Sequence, residues 1–102
     1  LKNDNGEVIA EQEIVRDLII SIYPNPAGSY TTIEFDCDET QPVELYITDV
    51  TGRVMNWMLE QEMPETPHYK ADINTVDFAN GMYLCILKSG GETRVQKFMV
   101  QH

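Results

Sequence analysis

The run VELYITDVTGRV, residues 43–54, states a strand, its two faces and its end within twelve residues. Val43, Leu45 and Ile47 alternate with Glu44, Tyr46 and Thr48. A strand sends successive side chains to opposite faces, so one face is apolar and the other wet. Asp49-Val50-Thr51-Gly52 then reverses the chain, because Gly52 can take the positive φ of a tight turn, and Arg53-Val54-Met55 resumes an extended pattern. The stretch predicts a β-hairpin laid over a core.

Upstream, residues 30–37 alternate in the same way, with Thr31, Ile33, Phe35 and Cys37 against Thr32, Glu34 and Asp36. Residues 38–42 are a loop. Residues 18–23, LIISIY, form a β-branched run too short for a buried helix. It is stopped by Pro24-Asn25-Pro26, where two prolines fix φ and remove two N–H donors. Residues 1–17 mix charges with Val8, Ile9, Ile14 and Val15 without a sustained period. They read as a linker from an upstream domain, with scope for one strand belonging to that domain. The chain opens without an initiator Met or a signal-peptide pattern, so its start is expected to be a cut from something longer.

Downstream, the second arm runs from Arg53 to about Glu60, and its Met55/Trp57/Leu59 and Val54/Asn56/Met58 faces are almost equally apolar. Its inward face is undetermined at this level. Prolines and acids mark residues 61–67 as an exposed loop, residues 68–73 as a weak strand, and residues 74–81 as a turn with Val76 and Phe78 tucked under it. Residues 82–88 are apolar at nearly every position, which suits a central strand with both faces covered and Tyr83, Cys85 and Leu87 on the core side. Ser89-Gly90-Gly91-Glu92 is a hairpin turn, and residues 93–100 return with Phe98 and Val100 inward. The expected fold is all-β, an immunoglobulin-like antiparallel β-sandwich of seven strands over residues 18–102.

A chain of 102 residues holds one domain with a single core. Seven basic against seventeen acidic residues give 7 − 17 = −10, a surface that repels a phosphate backbone, so nucleic acid is not an expected partner. No apolar run approaches the roughly 18 residues that span a bilayer. Cys37 and Cys85 lack the close spacing of a zinc or redox pair. Both fall on inward faces, which suits either a disulfide in an oxidising compartment or two buried free thiols.

Catalysis needs acids, bases and nucleophiles gathered at one place. The two histidines are His68, beside a proline-rich loop, and His102, so no triad has an obvious base, and Asp72/Asp77 and Asp36/Asp38 read as solvated charge. No enzyme activity is expected, and no cofactor. Asp36, Asp38 and Glu39 cluster at a strand end but lack the glycine-containing spacing of a calcium loop, so no metal is expected either. The competing function is a β-sandwich accessory module binding carbohydrate or protein through Tyr46, Trp57 and Tyr69, although a lone tryptophan in a sandwich is more often core than platform. No proline or charge clearly blocks the sheet edges, which leaves a homodimer through them open.

With the strands placed, four signatures stand in order: Tyr23-Pro24-Asn25-Pro26, Asp49 to Arg53, Gly81-Met82-Tyr83, and Lys97-Phe98-Met99-Val100. In this order and spacing, over about residues 20–102, the chain resembles the C-terminal sorting domain of the type IX secretion system in its type A form. The resemblance implies a non-catalytic address label on a secreted cargo in cis. It also implies transit through the periplasm, recognition by the outer-membrane translocon, removal by a surface sortase in or near residues 1–18, and a cargo left at the cell surface or outside the cell. The matching positions are Tyr23, Pro24, Asn25, Pro26, Asp49, Gly52, Arg53, Gly81, Tyr83, Lys97, Phe98 and Val100. Gly52 and Gly81 are expected to serve turns, Pro24 and Pro26 to end a strand, and Tyr83 and Val100 to fill the core, which leaves Arg53 and Lys97 as the better candidates for partner contact. The family's last residues usually carry more than one lysine or arginine, whereas here Lys97 is the only basic residue after Arg94.

Overall fold

The computed structural model describes residues 20–102. Leu18, Ile19, the linker and the expected processing segment lie outside the described residues. The strands are β1 (Ile20–Tyr23), β2 (Tyr30–Asp36), β3 (Val43–Asp49), β4 (Val54–Glu62), β5 (His68–Asn74), β6 (Gly81–Ser89) and β7 (Glu92–Val100). They form a three-stranded sheet of order β1-β2-β5 and a four-stranded sheet of order β4-β3-β6-β7, with every ladder antiparallel. The expected β-sandwich is therefore present, with the connections after β2, β4 and β5 crossing between sheets.

The inner faces follow the alternation in the sequence. Ile33 and Phe35 of β2 meet Val43, Leu45 and Ile47 of β3, Cys85 and Leu87 of β6, and Phe98 and Val100 of β7 in one buried cluster. Each such aliphatic or aromatic side chain contributes about 1.5–3 kcal/mol when fully buried, so this cluster drives the association of the two sheets. Cys37 and Cys85 are both buried and are free thiols, with Cys37 Sγ 3.4 Å from the Thr66 carbonyl.

Several details depart from the pattern reading. The β4 ladder carries register shifts against β3, and Met55, Met58 and Leu59 all pack against the core. Bulges break the two-residue period, which is why neither face of β4 stood out. The strand begins at Val54 and reaches Glu62, so the following loop is shorter than expected. Thr48, expected on the wet face, is only 2% exposed, flanked in register by Val54 and Leu84. Thr32 is likewise buried and donates its hydroxyl to Asp72 Oδ1 at 2.7 Å, which satisfies a polar group out of water. Phe78 packs under its turn, but Val76 is exposed because the chain there bends on Asn74 Oδ1, which accepts from the Val76 N–H. The outer side of β6 is only half covered, Met82 being exposed there.

A candidate recognition site at one pole of the sandwich

Antiparallel register decides which turns share an end. Asp49 lies opposite Tyr83, and Gly81 lies opposite Val100, so the end of β3, the start of β6 and the end of β7 meet at one pole. The segment after β1 joins them. Ala27 bridges to Val100: its N–H donates to the Met99 carbonyl at 2.7 Å, and the Gln101 N–H donates to the Ala27 carbonyl at 2.8 Å. The Met99 N–H donates to Asn25 Oδ1 at 2.9 Å, across 74 positions of sequence. The four signatures, scattered along the chain, are thus gathered at one place.

Each turn has its own physical cause. Asp49 Oδ1 accepts from the Thr51 N–H at 2.9 Å, the Thr51 hydroxyl at 2.6 Å and the Arg53 N–H at 3.1 Å. These bonds, with that of the Thr51 hydroxyl the largest influence, hold the Asp49 carboxyl below the usual carboxylate range. Gly52 closes the turn at φ +90°, where a Cβ is strained. Arg53 reaches back to Asp49 Oδ2 at 3.4 Å, yet its side chain is 72% exposed against 23% for Asp49. The local pair and the outward cation therefore coexist, and so exposed a pair is worth little to stability.

The second turn is built on aromatic packing. The Tyr83 hydroxyl donates to the Ala79 carbonyl at 2.7 Å, and its ring lies 5.0 Å from Phe78 and 5.9 Å from Phe98. Tyr83, Phe98 and Val100 are thus core residues of the pole. Pro24 and Pro26 follow cis peptide bonds, and the Pro24 carbonyl accepts from the buried Thr31 hydroxyl at 2.8 Å. Tyr23 points away from the pole along the outer face of the small sheet, where its hydroxyl donates to the Glu34 carboxylate. Lys97 is exposed one position inward from the pole, opposite Leu84 on the outer face of the large sheet.

Several residues of the pole escaped the sequence reading. Thr75, fully buried, donates its hydroxyl to the Gly28 carbonyl at 2.6 Å and its N–H to the Ser29 carbonyl at 2.9 Å. Asn80 Oδ1 accepts from the His102 N–H at 2.9 Å, and His102 Nε2 donates to the Phe78 carbonyl at 2.8 Å. Turn-type residues at 74–80 were the available signal, but their partners lie elsewhere in the chain.

The other candidate groups are dispersed. Cys37 lies toward the opposite pole, lining a cavity of about 350 Å³ with Val43, Leu59 and Tyr69, while Cys85 sits within β6 with its thiol pushed up to about 12 by burial. Tyr46 and Trp57 lean on each other on the large sheet, with centroids 4.5 Å apart, whereas Tyr69 stacks on Phe35 in the small sheet. Asp36 faces His68, and Asp38 accepts from Thr40, so neighbouring carboxylates serve different bonds.

No curated protein matches the chain. A family model described as the secretion system C-terminal sorting domain matches residues 21–101, almost the whole described sandwich. The chain belongs to that family, the C-terminal sorting domains of the type IX secretion system.

Proposed function

We propose that this domain directs a cargo fused upstream through the periplasm to the type IX translocon, acts without catalysis, and is cut from the cargo by a surface sortase within or near residues 1–18. The observation that carries the reading is the convergence of segments from all four family signatures at one pole, closed by the last strand, with the Tyr23 and Lys97 side chains directed away from it. Ile20 pairs with Phe35, at the end of the small sheet away from the signature pole.

The test is a reporter fused ahead of residues 1–102 and given an export signal. It is expected at the surface of a strain with the type IX translocon and in the periplasm of the same strain without it. Mass spectrometry of the exported reporter locates the cut. Equal periplasmic retention in both strains refutes the sorting reading. Glycan binding by the isolated domain would then favour an accessory module, although the split of Tyr69 from Tyr46 and Trp57 weakens any three-ring platform.

A further inference from the structure

The two outer faces of the sandwich differ in chemistry. On the small sheet, Glu34, Asp36, His68, Lys70 and Asp72 stand together in register, a charged and hydrated surface. On the large sheet, one cross-strand row runs Trp57, Tyr46, Ile86, Val95. The next row places Leu84 beside Lys97, and a third places Met82 beside Met99. Val95 is 53% exposed and Trp57 44%, so the row stays open to solvent at both ends. Contiguous apolar surface of this kind marks an interaction site, whereas isolated exposed apolar residues do not.

Charge selects the occupant. The described residues carry five bases against twelve acids, yet two of the five, Lys88 and Lys97, border this apolar face. Lys88 Nζ lies 5.7 Å from the centre of the Tyr46 ring, and Lys97 makes no ion pair among the described residues. Glu44 lies across from Lys88 in a further row, at the end away from the signature pole, and accepts from Gln61 Nε2. A second copy packed face to face would bring the lysines of both copies into one interface, and packed on the small sheet would set apolar rows against charged ones. An anionic bilayer would face a chain of net charge −10.

We propose that the outer face of the four-stranded sheet docks on a protein of the type IX machinery that presents an apolar patch bordered by carboxylates. The inference rests on the sorting function proposed above. It adds a surface distinct from the signature pole, and assigns Lys97 to that surface as a rim cation rather than to the pole.

The test uses the reporter fusion with substitutions at exposed positions. Val95→Glu and Lys97→Glu are expected to cut surface reporter about tenfold, the scale of losing a central or rim contact, while Val95→Lys and Lys97→Arg retain most of it. Purified residues 1–102 carrying each change should melt like the parent, which separates docking from folding. A photo-crosslinker at Val95 should join a translocon subunit, and one at Lys70 should not. Normal export of folded Val95→Glu overturns the proposal, as does crosslinking only from Lys70. Flotation with phosphatidylglycerol vesicles that Val95→Glu abolishes would make the occupant lipid, and a dimer in sedimentation that Val95→Glu dissociates would make it a second copy; either overturns it. Failure of the parent fusion to reach the surface refutes the sorting function instead, so the two failures are distinguishable.

Discussion

Phe98 and Lys97 are neighbours in sequence with opposite surroundings, and replacing each by alanine separates folding from recognition. Phe98 is 1% exposed, its ring beside Tyr83. Truncating a buried phenylalanine to alanine removes its transfer energy and leaves a cavity, at a cost of about 3–5 kcal/mol. The described sandwich has 102 − 20 + 1 = 83 residues. At about 0.05–0.15 kcal/mol per residue its total stability is about 4–12 kcal/mol. Phe98→Ala therefore consumes from a quarter of the stability to all of it and lowers the thermal midpoint by more than about 12 °C. Lys97→Ala, on the surface, should stay within about 0.5 kcal/mol of the parent. Urea unfolding of residues 1–102 followed by far-UV circular dichroism measures both. A loss under about 1 kcal/mol for Phe98→Ala, or above that for Lys97→Ala, refutes the assignment of inner and outer faces on β7. The same logic bears on deletion experiments, since removing residues 97–102 takes Phe98 and Val100 out of the core together with any recognition group.

Further outcomes are expected from other parts of the fold. Gly52→Ala forces a Cβ into φ +90° and should cost about 1–2 kcal/mol in the same urea titration; an unchanged midpoint would show that the turn relaxes freely. Hydrogen bonds from His68 to Asp36, then to Glu34, raise the imidazole above its ordinary 6.5. That contribution is full below the unfolded value and disappears as pH rises through the folded one, so the thermal midpoint should fall on the alkaline side and His68→Gln should flatten that limb. Glu34 and Asp49 are lowered, by the Tyr23 and Thr51 hydrogen bonds respectively, so their stabilisation is lost on the acid side as pH falls through their folded values. With its thiol pushed up to about 12, Cys85 should resist alkylation at pH 8 in the native state and react in urea; fast native labelling would place it outside the core.

The strands were legible where the alternation had a period of two. Residues 43–47 and 30–37 declare their inner faces because polar and apolar residues take turns, and every inner residue named there is buried. β4 was not legible, because its bulges shift the register between Val43 and Thr48 and no fixed period survives. Thr32 and Thr48 were misplaced for another reason: a threonine can satisfy its hydroxyl locally and be buried on a nominally wet face, as the bond from Thr48 to the Asp49 carbonyl shows. The signatures were legible one by one, but their convergence was not. It depends on contacts such as Asn25 to Met99 and Thr75 to Gly28, spanning 74 and 47 positions, and local pattern carries no information on pairs so far apart.

The last described strand does two jobs with alternate residues. Phe98 and Val100 point inward and complete the core, while Val95, Lys97 and Met99 point outward. The outward set acquires its spacing only when the inward set is docked, since β7 is held by the β6 ladder on one side and by Asn25 and Ala27 on the other. Synthesis delivers β7 after every other described strand, so neither the closed pole nor the outer apolar rows can exist on an incomplete chain. A receptor that reads either surface therefore reads the finished sandwich, and a linear peptide with the same last residues presents Lys97 without the Trp57, Tyr46 and Ile86 row beside it. On this argument a cargo carrying Phe98→Ala fails export even though every exposed residue of the signal is intact, and second-site changes that restore core stability should restore export with it.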